Sequence, residues 1–283
     1  MPIRSVGVFG RLYFSLPLAA LLVSLSAHCQ ESGTLTLLKD SPLRVIRGVS
    51  VLQGVEGMRL RQGDILETGP AATAQAQLEL SGGAIVELGP SSQAFLYNQS
   101  ATSAELVLLA GWLKGETTSG SYKYSSPFAS ASTKGGNVLM HATATDTEIF
   151  VERGAASVSI GNSGAIASSP GKIFFTRRAG KPIVAEGRPS QDFITTMPGC
   201  FRDVLPSRLS HFANAKPPVP KSEKSVSYAD VERWLTSSWG RGMVERFKPR
   251  LQDSAFRHAI ESHLSVLPGW EPVLHPHVTN PVH

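Results

Sequence analysis

The sequence predicts a mainly β protein, built of sandwich- or solenoid-like antiparallel sheets, with a small α-helical region towards its C-terminal end. From Leu35 to about Glu186, short runs rich in Val, Ile, Leu and aromatic residues recur at intervals of roughly eight to twelve, each closed by Gly, Pro, Ser or Asn. None of these runs is followed by a helical pattern long enough for a βαβ crossover, which disfavours a doubly wound nucleotide-binding sheet. Beyond Ser227 the apolar residues change to every third or fourth position, the spacing of a helix face.

The strand register is clearest between Thr73 and Leu88. Thr73 to Leu80 alternates polar with small or apolar residues, so that Ala76, Leu78 and Leu80 share one face. Ser81-Gly82-Gly83 supplies a hairpin turn, and Ala84, Val86 and Leu88 resume the same parity until Gly89-Pro90 ends it. Glu67, Glu79 and Glu87 fall on the opposite parity and are expected to face water. Further strands are expected at Ala94–Tyr97, Glu105–Leu109, Tyr122–Tyr124, Asn137–His141, Glu148–Glu152, Ala156–Ile160, Lys172–Thr176 and Pro182–Ala185. Gly135-Gly136 reads as another hairpin pair.

The character changes after Gly187-Arg188-Pro189. Lys216 to Lys224, with Pro217, Pro218 and Pro220, reads as a stiff polar linker. Ser227 with Asp230 three residues on marks a helix start, after which Tyr228, Val231, Trp234, Leu235 and Trp239 fall on one face. A second helical piece ends at Pro249. Asp253 can cap a third, whose stripe is Phe256, Ile260, Leu264 and Leu267, stopped by Pro268-Gly269. Both stripes require a partner surface, and packing of a helical cap on itself or on the β-domain satisfies that need within one chain.

Composition narrows the function classes. The 283 residues carry a net charge of +5, with 17% charged and 41% hydrophobic residues, enough apolar area for a core and too little charge for a disordered chain. Residues 30–199 hold 14 Lys/Arg against 14 Asp/Glu, and residues 200–283 hold 11 against 8, so the excess forms no basic face and nucleic acid is not expected as a partner.

The first residues have the layout of a secretory signal peptide: Arg4 and Arg11, an apolar run from Leu12 to Ala27, then small residues. Pro17 and the serines weaken that run as a permanent span, so cleavage between Ala27 and Gln30 is expected and no integral span in the mature chain. Cys29 stands where a lipoprotein cysteine would, but His28 precedes it where a small residue belongs. Lipid anchoring through Cys29 is therefore the alternative. Cys200 is the other cysteine, so no disulfide framework is expected, and a buried small hydrophobe is its plain reading.

Catalytic patterns are mostly missing. There is no G-x-S-x-G and no P-loop; Gly161-Asn162-Ser163-Gly164 reads as a turn. His258 and His263 are five apart and point away from each other on a helix, and His275 and His277 flank Pro276 in the tail, so no dedicated metal site is read. Cys200 has no CxxC partner. No catalytic, cofactor-binding or metal residue is assigned and no cofactor is expected, although paired carboxylates of a glycan hydrolase have no sequence spacing by which to find them.

Taken together, Gly63 to Gly69 (GDILETG), Ala76 to Gly83, Val86 to Ser92, Leu106 to Lys114 and Glu148 to Gly154 resemble the FecR-like periplasmic domain over roughly residues 33–160. The resemblance implies an all-β domain in which an aspartate after glycine closes a turn. It also implies kinship with proteins that pass a signal from an outer-membrane receptor to a cytoplasmic sigma factor. At most eleven residues precede the apolar run here, too few for a sigma-binding helical arm. The expectation is therefore an exported β-domain of binding, scaffold or signalling-associated type.

The chain accordingly divides into a signal peptide (1–29), a FecR-like all-β domain (30–188), a partly Pro-rich linker (189–226), a helical region (227–274) and a flexible tail (275–283). The leading expectation is a non-catalytic module of the bacterial periplasm or envelope that binds an envelope protein or a glycan. The alternative is an unrecognised envelope hydrolase acting on a glycan.

Overall fold

The structure, a computed structural model, describes residues 31–100, 102–160, 167–170 and 173–276. The expected signal peptide with Cys29, the Gly161–Gly164 turn and the tail from His277 lie outside these residues. The strands are β1 (Glu31–Lys39), β2 (Arg44–Arg47), β3 (Ser50–Gln53), β4 (Arg59–Arg61), β5 (Ile65–Glu67), β6 (Gln75–Leu80), β7 (Ile85–Leu88) and β8 (Gln93–Gln99). They continue with β9 (Ser103–Thr117), β10 (Ser121–Ser125), β11 (Ser130–Ala142), β12 (Asp146–Ser159), β13 (Ala167–Pro170), β14 (Ile173–Arg178), β15 (Ile183–Glu186) and β16 (Ser222–Ser225). The helices are α1 (Gln191–Thr196), α2 (Tyr228–Leu235), α3 (Gly240–Phe247), α4 (Ser254–Ser262) and α5 (Glu271–Leu274).

The pairings form one continuous, mainly antiparallel sheet running β15-β14-β12-β11-β10-β9-β8-β5-β2-β3-β16, with β9 and β10 parallel. The sheet is not closed into a barrel. Three long strands fold it over. The first part of β9 pairs with β8 and β10, whereas its second part, from Gly111, pairs with β7 and β11. Gly111 has φ +90°, and a Cβ there would come within 2.5 Å of Ser92 Cα, so the bend needs glycine. Gly135-Gly136, expected as a hairpin, is instead a bulge inside β11 opposite Gly154, because β11 runs on through it.

Strand parity sorts the side chains into three clusters. Val45, Leu66, Leu78, Val86, Leu96, Leu106, Leu113, Val138 and Ile149 point into the fold of the sheet and make its inner core. Their neighbours Ile46, Ile65, Phe95 and Val107 point out of one layer, where Val231, Trp234, Leu235, Phe247, Phe256 and Trp270 cover them. Trp112, Leu139 and Phe174 point out of the other layer against Phe193 and Phe201. The helices therefore pack on the β-domain. Their starts are as the caps demand: Asp230 Oδ2 accepts from Ser227 N at 2.8 Å, and Asp253 Oδ1 accepts from Ala255 N and Phe256 N.

Two further expectations need correction. Residues 189–226 are not a bare linker: they carry α1 and short 3-10 turns and bury Phe193, Phe201 and Leu205 on the sheet, and β16 pairs with β3. Their aromatic residues offset the entropy of ordering an otherwise irregular segment. Glu67, Glu79 and Glu87 do not face water but are 8%, 6% and 1% exposed. The strand parity itself holds, since Leu78, Leu80, Val86 and Leu88 are buried in the inner core. The opposite face is covered by residues distant in sequence.

Candidate functional site

The covered charged face is the least ordinary feature of the molecule. On β6, β7 and β9, Gln77, Glu79, Glu87, Lys114 and Glu116 share the face opposite the inner core, and all five are nearly inaccessible. A strap of residues 199–208 lies over them. Lys114 Nζ donates to Phe201 O at 2.8 Å and to Asp203 O at 2.6 Å. Gln77 Nε2 donates to Pro206 O at 2.9 Å. Leu205 N donates to Glu116 Oε2, while Ser207 Oγ and Arg208 N donate to the two oxygens of Glu79. Buried charges are tolerated only when hydrogen-bonded, and here strap backbone groups share that role with sheet side chains: Glu152 lies 3.4 Å from Lys114 Nζ, Asn137 Nδ2 donates to Glu116 and Gln75 Nε2 to Glu87.

Cys200 sits in this strap and bonds Glu87. Burial first, and then the Glu87 carboxyl, push its thiol up to about 12. Burial likewise raises Glu87 above the usual carboxylate range, against hydrogen bonds from Cys200 and Gln75. Such a thiol stays protonated near neutral pH, the reverse of an activated nucleophile.

A second cluster surrounds Arg44. Its guanidinium lies 2.9 Å from Glu67 Oε2 and 2.9 Å from Asp230 Oδ1, tying β2 and β5 to the start of α2. Glu67 Oε1 accepts from Gln93 Nε2, and Asp230 also takes Lys224 Nζ and Ser227 N. Burial raises Glu67 above its usual range against the Arg44 charge. Burial acts the same way on Asp230, but the Lys224 and Ser227 hydrogen bonds outweigh it and hold the group low.

Two open clefts of about 480 and 500 Å³ flank this cluster and share Ser91 and Arg233. The second is walled by Trp112, whose ring stacks on His141 at 4.0 Å between centroids, with His141 Nδ1 2.9 Å from Glu148 Oε2.

No protein-family model matches this chain, and no curated protein matches it. Among solved structures it is similar to two crystal structures of a candidate anti-sigma factor from Parabacteroides distasonis ATCC 8503, at 1.65 and 2.50 Å resolution. Identity is 11% and 12%, the TM-scores are 0.38 and 0.40, and the match covers 44% and 48% of this chain. This chain spans 61% and 65% of the length of those chains. A likeness of that extent carries no conclusion about activity or partner.

Of the residues weighed from sequence, Glu79, Glu87 and Cys200 come together under the strap, while Glu67 stands apart in the Arg44 cluster. His258 is exposed on α4, and His263 stacks on Tyr228 with 5.1 Å between centroids. Among the described residues no group of three His, Cys, Asp or Glu is placed to hold a metal ion. Also among them, no helix is long and apolar enough to cross a membrane. Sequence reasoning assigns no site role to Lys114, Glu116, Arg44 or Arg233. The one signal for the first two was the alternation Trp112, Lys114, Glu116, a charged parity inside a long apolar strand.

Proposed function

We propose that this chain is an exported, non-catalytic module of FecR-like type that binds another envelope protein or a glycan, as a scaffold or in signalling. The signal-like N-terminal sequence supports export to the periplasm or envelope, with a lipid on Cys29 as the anchored variant. The observation that carries the binding reading is the edge of the sheet. Among the described residues β15 pairs with β14 alone, and Val184 on it is 52% exposed, so its outer backbone groups can take a further strand.

The test is capture from envelope extract by the tagged chain, compared with Val184→Pro and Ala185→Pro. Backbone donors alternate sides along a strand, so one of these prolines removes an outward N–H and spares the pairing with β14. That variant is expected to fold as the wild type and lose the captured component. Capture undiminished in both folded variants would remove the edge as the binding surface.

One observation favours the alternative of an envelope hydrolase acting on a glycan: Glu67 lines a cleft, and it and Asp230, both paired with Arg44, have proton affinities displaced in opposite directions. Both carboxylates are held by Arg44 and other donors, which suits them to tying α2 to the sheet. Glycan cleavage lost in Glu67→Gln would establish the enzyme.

A further inference from the structure

The strap is attached to the sheet in an unusual way. Among the described residues, no backbone–backbone hydrogen bond joins residues 202–208 to any strand; the ties run from sheet side chains to strap backbone or strap side chains. Two apolar side chains anchor it, Phe201 at 0% and Leu205 at 5% exposure, while Val204 between them is 70% exposed.

The sheet face beneath is divided. Its aromatic half, with Trp112, Leu139 and Phe174, is covered by Phe193 and Phe201. Its charged half is covered by the strap, with Asn137 and Glu152 of the sheet beside Glu116 and Lys114. For a face that is never uncovered, apolar packing is at least as stable as buried charge, because desolvating ions offsets most of what their bonds return. A charged face is suited to another condition: once vacated it hydrates at little cost, since each side chain exchanges a protein partner for water.

We propose that residues 199–208 are a displaceable plug, and that the vacated face binds an extended peptide segment of a partner in the same manner. This rests on reading the chain as a binding module, and it adds a second contact face to the β15 edge. The face is shaped for such a segment. Lys114 and Gln77 present donors to main-chain carbonyls, Glu79 and Glu116 accept main-chain N–H groups, the aromatic cluster takes Phe201, and Leu205 four residues on is buried as well. Little of this depends on peptide sequence beyond an aromatic residue and an aliphatic one at that spacing.

Cys200 reports on the plug, because its half-buried thiol is bonded to Glu87 while the strap is seated. In the full chain carrying Cys29→Ser, the labelling rate of Cys200 by a thiol reagent is measured without and with a synthetic peptide of residues 199–208 in which Ser replaces the cysteine. The expected result is a saturable rise of about tenfold or more, as the peptide holds the face and leaves the strap open. The same peptide with Ala at the Phe201 and Leu205 positions is expected to have no effect.

A labelling rate that the peptide leaves unchanged would overturn the plug, whatever is captured from extract. The double variant Phe201→Ala/Leu205→Ala is expected to label faster by more than its loss of global stability accounts for. If it unfolds, the peptide competition on the wild-type strap still decides. The binding-module reading fails separately, if neither the wild type nor the opened strap captures any envelope component.

Discussion

Lys114 Nζ lies 2.8 Å from the carbonyl oxygen of Phe201, a residue 87 positions away, with the lysine side chain 1% exposed. Lys114→Met would leave the Phe201 and Asp203 carbonyls without that donor. The expected loss is about 2–4 kcal/mol in urea unfolding. Lys123→Met, at a surface pair with Glu105, should cost under ~1 kcal/mol. Equal losses would show that Lys114 is not holding the strap.

On β6, Leu80→Ala is expected to destabilise by about 2–5 kcal/mol, because it opens a cavity in the inner core. A water-facing Glu79, as the strand parity alone predicts, would make Glu79→Ala almost neutral. The strap changes that: removing the carboxylate strands Arg208 N and Ser207 Oγ, and about 1–3 kcal/mol should be lost. Chemical denaturation of both variants checks the pair, and a silent Glu79→Ala would mean the strap does not stay seated in solution.

The C-terminal helices should be needed by the β-domain. Without residues 227–283, Ile46, Val51, Ile65, Phe95, Val107 and Leu109 would face water. That truncation is expected to aggregate or melt earlier, and Trp234→Ala should cost about 3–5 kcal/mol. A soluble truncation with unchanged melting temperature would contradict the packing.

The Arg44 cluster predicts two opposite pH dependences. Asp230 is held below its usual 3.8, so it binds fewer protons folded than unfolded. Its stabilisation is complete above that value and lost as pH falls through the folded pKa. Glu67 is raised above 4.5, so stability declines as pH rises from 4.5 through its folded pKa. In stability profiles, the deficit of Asp230→Asn should shrink in acid, while Glu67→Gln should lack the decline above 4.5. A deficit of Asp230→Asn that grows in acid would reverse the sign assigned here.

Much of the architecture was legible in the chain. Turn glycines and period-two alternation placed the β6–β7 hairpin, and Asp64 accepts from Arg61 N at 2.9 Å beside Gly63, as the resemblance implies for an aspartate after glycine. Ser227 with Asp230, and Asp253, marked the starts of α2 and α4, because capping is a local bond between near neighbours. These features arise within a few residues and leave their trace in spacing.

What the sequence by itself determined is therefore which side chains share a face of each strand and helix. Only the tertiary structure decided what each face meets. Period two puts Glu79 and Lys114 opposite Leu78 and Leu113, but no local rule says whether water or a segment some 90 to 130 residues distant will cover them. The helical stripes likewise required a partner without naming Ile65 and Phe95. Burial of a polar group depends on whether a remote backbone brings donors and acceptors to it, and that complementarity exists only after the chain has folded over.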